Sequence, residues 1–433
     1  MERRTRYLWT VLQDTGGRNG AVVALCLTAT LCAARTPADT LSVDSCVGLA
    51  LARAPAARAA AFDVDAAAAR LRAARAAYAP RLLAEGEYGR SQGFDEVVTN
   101  GGSTAALLTV ETTLLDGGLR DAQVASAQAR LKSAAALEQQ RRADVALAVR
   151  TAYFVALAAR SETEIQGDNL RVLRESVGLL QRQEAIGLVP HNDVLRGQLA
   201  VEAAQTAQRA AAAQLDSARR ELAALIDADV TAASLTEPAP AAFHEATAAM
   251  IDASPVITDA RAALEAARHD ADAMRSEWRG HVTLTASGGA LGVQPGPTFR
   301  DNGGGQFLFG VSVPLFDGGA VAARIAAAVA AANSAAADLQ QARQTITIAL
   351  ARASVEARRA QADLTAGQRT VPTAEEDFQL MRARYFGGGN VRLLEVLDAL
   401  SQSVESRLNV PRALLTCRLA VATEAQILGE VTP

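Results

Sequence analysis

From Ile346 onward the apolar positions advance by alternating steps of four and three, through Leu350, Ala353, Ala357, Ala360, Leu364, Gly367, Val371, Ala374, Phe378, Met381 and Tyr385. A sustained 3.5-residue period marks a coiled-coil seam with a left-handed supercoil. An earlier stretch follows the same rule through Val145, Val149, Ala152, Ala156 and Ala159, then Leu170, Leu173, Val177 and Leu180, with Thr163 and Gln166 interrupting the seam. A helix from about residue 118 to 186 extends roughly 100 Å. Helices of that length, paired antiparallel, form a projecting stalk and not a compact domain. Pro372 falls inside the later run, where its ring removes one backbone hydrogen bond and crowds the preceding turn, so a bend is expected there.

A different period precedes each long run. Val282, Leu284 and Ala286 alternate with Thr283, Thr285 and Ser287, and Phe307, Phe309, Val311 and Val313 alternate with Leu308, Gly310 and Ser312. Period two with one apolar face predicts strands over 281–289 and 306–315. The corresponding upstream segments are 81–89 and 105–114. Their outward set is Ala106, Leu108, Val110 and Thr112, which turns Glu111 to the opposite face. About ten tilted residues is the length of an outer-membrane strand. The loops between paired strands, Arg90–Thr104 and Gly292–Gly305, are long and polar. Tyr78 and Trp278 stand at equivalent helix-to-strand junctions, with Leu115 and Phe316 at the strand exits; aromatics at such levels suit a membrane-interface girdle.

The chain is one unit written twice. Pro55 corresponds to Pro255, and Asp116-Gly117-Gly118 to Asp317-Gly318-Gly319. Arg182, Gly187, Val189, Val194 and Leu195 correspond to Arg384, Gly389, Val391, Val396 and Leu397. The first repeat spans 39–235, with its long hairpin over 118–227. The second spans 236–433, with its hairpin over 319–428. Thr236–Pro240 reads as the boundary, within a less regular connector at 229–250.

Half of the residues are apolar and only 4% are aromatic, a balance of closely packed, alanine-rich helices. A net charge of −4 gives no basic footprint for nucleic acid. Arg3, Arg4, Arg6 and Arg18 precede an apolar run from Ala21 to Ala34 and then small residues, the order of a secretory signal over 1–38. No later stretch approaches 18 uninterrupted apolar residues, so no transmembrane helix is expected after cleavage. Cys46 and Cys417 are then the only thiols left in an oxidising compartment. A disulfide between them and two unpaired buried thiols are equally open readings. The four histidines are scattered without metal-ligand spacing, and no nucleophile–base pair or cofactor loop is visible. Neither a metal, a cofactor nor a catalytic residue is expected.

Four strands per chain cannot close a barrel, since the smallest outer-membrane barrels have eight. An open sheet in lipid leaves two edges of unpaired backbone groups, each costing several kcal/mol. The sheet must be shared with copies of the same chain. Two copies give eight strands and three give twelve, and strand arithmetic alone does not choose.

The opening Leu41–Val47 through Arg53-Ala54-Pro55 resembles the first helix of the TolC family of outer-membrane efflux and secretion channels. Leu114-Leu115-Asp116-Gly117-Gly118 and Leu315-Phe316-Asp317-Gly318-Gly319 resemble its strand-to-helix signature. Gly187 with Asp193-Val194-Leu195, and Gly389 with Glu395-Val396-Leu397, resemble its hairpin tips. The resemblance spans roughly residues 40–430. It implies a mixed α and β fold: a homotrimer with a twelve-stranded outer-membrane barrel continuous with a long α-helical periplasmic tunnel. Its implied partners are outer-membrane lipid, a periplasmic adaptor and an inner-membrane pump, either a proton-driven RND transporter or an ABC exporter. Adaptor docking would fall on Gly187, Val189, Asp193 and Leu195 of one tip and Gly389, Val391 and Leu397 of the other.

The family's acidic entrance rings map to Glu395 and Asp398, whose spacing puts both carboxylates on one helix face. Like charges facing a narrow lumen favour cations. The tyrosine and arginine that hold some members shut fall here on Phe386 and Val391, with Arg392 next door. The latch hydroxyl is therefore expected to be lost and the cation lost or shifted. The competing reading is a soluble periplasmic coiled-coil adaptor, which leaves the two amphipathic strand hairpins unexplained.

Overall fold

The computed structural model describes residues 40–89, 103–230, 233–238, 243, 247–292 and 302–431. The expected signal 1–38 and most of both strand-connecting loops lie outside the described residues. The first repeat runs β1 (Thr40–Leu41), α1 (Val43–Arg53), α2 (Pro55–Ala76), β2 (Arg81–Gly89), β3 (Ser103–Leu115), α3 (Leu119–Ala185) and α4 (His191–Ile226). A connecting β4 (Ser234–Leu235) and α5 (Ala248–Ala253) follow. The second repeat runs α6 (Pro255–Ser276), β5 (His281–Gly292), β6 (Gly303–Ser312), α7 (Ala320–Phe386) and α8 (Leu393–Leu428). The two repeats agree in the lengths of their long helices: α3 and α7 each have 67 residues, and α4 and α8 each have 36.

The four long strands form one antiparallel sheet in the order β2-β3-β5-β6. Directly opposed residues share a face, and the register sorts the two faces by chemistry. One carries Leu82, Ala84 and Tyr88, then Leu108 and Val110, then Leu284 and Ala286, then Phe307, Phe309 and Val311. The other carries Arg81, Glu85 and Glu87, then Thr109 and Glu111, then Thr283, Thr285 and Ser287, then Gln306 and Ser312, with Leu83, Leu107 and Leu308 among them. The apolar face is uncovered within one chain: Phe307 is 85% exposed and Leu82 66%. The strands extend beyond expectation on β5, which reaches Gly292, whereas β6 ends at Ser312 short of Leu315.

Each repeat turns from strand to helix through Asp-Gly-Gly. Gly117 and Gly118, like Gly318 and Gly319, have φ between 64° and 92°, a left-handed conformation that a Cβ resists. The aspartate then reaches forward over the new helix end. Asp116 accepts from the backbone N–H of Gly118 and Arg120 at 3.1 and 3.0 Å, and Asp317 from those of Gly319 and Val321 at 2.9 and 2.5 Å. These are donors that a helix N-terminus cannot satisfy internally. The copies differ in one respect. Arg120 also pairs with Asp116 at 2.6 Å with both side chains nearly buried, while the second copy has Val321 in its place.

Midway along α3, where α1 and the end of α4 pack on it, lies the largest apolar cluster among the described residues, built on Cys46, Val149, Tyr153, Leu222, Ile226 and Val230. Tyr153 is fully buried. Its hydroxyl sits 2.7 Å from the Leu41 carbonyl and 2.6 Å from that of Thr236, which ties the parallel β1–β4 pair to the core. Burial is the main reason its pKa is pushed up to about 12. The connector thus contains a strand that closes this core. Cys46 is buried in α1, Cys417 is partly exposed on α8, and both are free, which resolves the cysteines in favour of unpaired thiols. The helix α7 continues through Pro372, and α8 through Pro411, so neither proline ends its helix. One window of α7 does reach the hydropathy of a membrane helix, at 1.4, through its alanine content. That stretch belongs to the coiled-coil helix and is only 11% buried within one chain.

Candidate functional site

The ends of the two hairpins meet. The first turns at Gly187, with φ 76°, and the second at Gly388, with φ 82°. Buried Leu180 and Val194 of the first hairpin pack against buried Leu393 of the second, with Val189, Tyr385, Phe386 and Leu397 around them. One layer further from the tips, Leu170, Leu173 and Ala204 pack against Phe378, Val396, Ala399 and Leu400. Gly197 permits α4 to close on α3, since a Cβ there would lie 2.9 Å from the Val177 Cγ2.

Polar links join the hairpins at the same levels. The Tyr385 hydroxyl donates to Asp193 Oδ2 at 2.8 Å, bonding the end of α7 to the start of α4. Burial, then the Asp193 carboxylate, push the Tyr385 pKa well up, so the hydroxyl keeps its proton. The Phe386 ring stands edge-on to the Tyr385 ring at 5.1 Å. Arg407 of α8 reaches Asp168 of α3 at 3.0 Å and Glu375 of α7 at 3.8 Å. Arg407 and Arg171 together hold the Asp168 carboxyl below the usual carboxylate range. Arg412 pairs with Glu162 at 2.9 Å.

The expected loss of a hydroxyl at this tip does not hold: Phe386 carries none, but Tyr385 beside it donates one to Asp193 Oδ2. The seam pattern contained Tyr385 as its last apolar position and gave no sign of the polar role. Phe386 instead packs into the tip cluster.

Glu395 and Asp398 are both exposed, one turn apart on α8, opposite the buried Leu393, Val396, Ala399 and Leu400. Asp398 Oδ2 accepts from Gln402 Nε2 at 3.2 Å. Arg392 is exposed and caps α8, its carbonyl accepting the Glu395 N–H; Val391 is partly buried. Of the tip residues, Gly187 and Gly389 are exposed at the turns and Leu195 is 44% exposed. Ile186, Leu188 and Leu199 are exposed beside Leu195, so the first tip presents an apolar surface. At the other end, Tyr78 and Trp278 are 46% and 39% exposed and Phe316 89%. The Tyr78 ring lies under the Arg120 guanidinium, and its hydroxyl donates to Asp121. Among the described residues no cluster of His, Cys, Asp and Glu has metal-site geometry.

The family model described as "Outer membrane efflux protein" matches residues 46–228 and 249–430, one segment for each repeat. Protein CyaE of Bordetella pertussis is 29% identical over 421 residues, covering 91% of this chain and 86% of CyaE. A membrane protein from Pseudomonas aeruginosa superposes with a TM-score of 0.82 at 22% identity, over 90% of each chain. The outer membrane protein VceC of Vibrio cholerae gives 0.81 at 20% identity, over 90% of this chain and 96% of VceC.

Proposed function

Since this chain belongs to the outer membrane efflux protein family, we propose that three copies assemble into the exit duct of an envelope-spanning export machine, gated where the hairpin tips meet. The protein is an outer-membrane channel of a Gram-negative cell and not an enzyme. The observation that carries the assembly is the sheet. Its apolar face is uncovered, and β2 and β6 each have a free edge. The two edge strands run in opposite directions, so β6 of one copy meets β2 of the next antiparallel and the alternation continues around a ring. Closure removes every unpaired backbone edge from lipid. Three copies give twelve strands, wide enough for a lumen lined by the Glu85, Glu87, Glu111 and threonine face.

On this reading the exposed Tyr78, Trp278 and Phe316 lie at the barrel's periplasmic rim. Glu395 and Asp398 line the entrance, where threefold symmetry makes each a ring. The tip surfaces around Gly187, Val189, Asp193, Leu195, Gly389, Val391 and Leu397 dock a periplasmic adaptor, which couples the duct to an inner-membrane RND or ABC transporter. A soluble adaptor is disfavoured because the uncovered apolar sheet face has no place in water. Cell fractionation followed by planar-bilayer recording tests the reading. The mature chain should require detergent for extraction and conduct ions in discrete steps; a water-soluble, non-conducting protein would reject it.

A further inference from the structure

The two repeats meet inside each chain along one seam, with β3 against β5 in the sheet and α3 against α6 below it. In the row α2-α3-α6-α7, as in β2-β3-β5-β6, the first and last elements each keep one flank uncovered among the described residues. Equivalent positions are fixed by the repeat: Pro55 opens α2 as Pro255 opens α6, and Gly118 precedes α3 as Gly319 precedes α7.

Within the chain, one stripe of α6 lies on α3: Asp259, Ala262, Ala266, Asp270 and Ala273. Its three alanines are buried. Ser133 donates to Asp259 at 2.5 Å, Ser126 donates to Asp270 at 2.6 Å, and Arg130 pairs with Asp270 at 2.6 Å. The same stripe of α2 reads Ala59, Phe62, Ala66, Arg70 and Ala73, and Phe62, at the place of Ala262, is 63% exposed. On α7 the places of Ser126, Arg130 and Ser133 are taken by Ala327, Ala331 and Ser334, all exposed. Each of these polar links has thus lost a partner, and the alanines leave room for an aromatic ring. A second copy set against α7 as α6 is set against α3 would seat Phe62 between Ala327 and Ser334. Large aromatics buried in this way dominate interface energetics.

The sheet gives the same correspondence. Leu108 of β3 lies opposite Gly288 of β5, and Glu111 opposite Thr285. Carried over by the repeat, β6 of one copy lies opposite β2 of the next with Phe309 against Tyr88 and Ser312 against Glu85. Phe309 and Tyr88 are 62% and 60% exposed on the apolar face, and Ser312 and Glu85 stand on the polar one. A slip of one residue would set the apolar face of one copy against the polar face of its neighbour.

We propose that the seam between copies repeats the seam within each chain in this register, and that Phe62, Tyr88 and Phe309 hold it. None of the three has an aromatic counterpart inside the chain, where Ala262, Gly288 and Leu108 stand. Copies are therefore joined by apolar and aromatic contacts at places where the repeats of one chain are joined by polar links and small residues. This contact deepens the reading of the chain as a three-copy duct and rests on it.

Paired cysteines in the full-length protein, in a Cys417→Ser background with the fully buried Cys46 left in place, test the register in the outer membrane. Ser312→Cys with Glu85→Cys should give, under oxidant, a covalent ladder that ends at three chains on a denaturing gel. Ser312→Cys with Arg81→Cys, on the same face but two pleats away along β2, should give none. Efficient linking of the displaced pair would overturn the register, as would linking of neither pair in an assembly that native mass spectrometry still finds trimeric. Phe62→Ala should lower the temperature at which the assembly dissociates. Leu137→Ala should leave it unchanged, since Leu137 stays 42% exposed on α3 although both flanks of that helix are covered. Arg70→Asp with Ala331→Arg puts the internal Arg130–Asp270 pair at the seam between copies and should raise the temperature again in the Phe62→Ala background. An unchanged temperature in Phe62→Ala, or no recovery, would overturn the equivalence of the two seams. A parent chain that is monomeric in detergent would instead reject the shared barrel itself.

Discussion

Tyr385→Phe removes one oxygen and leaves the ring, its packing in the tip cluster and its contact with Phe386 in place. What is lost is the 2.8 Å bond to Asp193 across the two hairpins. A hydrogen bond to a charged group contributes about 1.5–3 kcal/mol when buried. Both partners are only partly buried, so about 1 kcal/mol per copy is the realistic share. If each copy opens alone, the opening equilibrium rises about fivefold. If three copies open together the contributions multiply, and about 3 kcal/mol gives more than a hundredfold. Open probability in planar bilayers separates the two outcomes. Asp193→Ala should produce a similar gain, and combining it with Tyr385→Phe should add little, because both remove the same bond. The pH dependence has a definite sign. A hydroxyl whose pKa is raised in the folded state supports the bond at all pH below the ordinary tyrosine value near 10, and loses it only above that. Gating should thus show no tyrosine-dependent change between about pH 6 and 9. Unaltered open probability in Tyr385→Phe, or fully additive effects of the two substitutions, would refute the latch.

Glu395→Gln with Asp398→Asn should raise single-channel conductance and weaken block by multivalent cations; unchanged conductance and block would remove these carboxylates from the entrance. Asp116→Ala takes away two helix-capping acceptors and the carboxylate partner of the nearly buried Arg120, at a cost of about 2–4 kcal/mol. Thermal dissociation of the assembly should show that loss, and Asp317→Ala, which orphans no cation, should be milder. The Asp168 carboxyl is held low by Arg407 and Arg171, so its contribution is present above the ordinary carboxylate pKa and fades as pH falls through the lowered folded value. Opening should therefore increase below about pH 4, and Asp168→Asn should already gate in its open-prone manner at neutral pH with no such acid step.

The architecture was legible because it is periodic. Period two located the sheet, with β2 matched at both ends, and the 3.5-residue seam located α3 and α7. The duplicated Asp-Gly-Gly placed both strand-to-helix turns. Element ends were less legible: β6 stops at Ser312 because the next residues leave the ladder toward Asp317, and no local pattern in Val313 and Leu315 signals that. The tip chemistry was only half legible. Glu395 and Asp398 stand out through their spacing, but Tyr385 is an ordinary seam residue by pattern, and its bond to Asp193 depends on a contact between residues far apart in the chain. The clamp of Arg407 with Asp168 was invisible for the same reason.

Native mass spectrometry of the detergent-extracted mature chain tests most directly whether sister sheets complete the barrel. Three copies held together until the detergent is stripped, with Phe307→Asp on the apolar face preventing their recovery from the membrane, is the expected result. A stable single chain that stays in solution without detergent, its β2 and β6 edges free, would contradict the account.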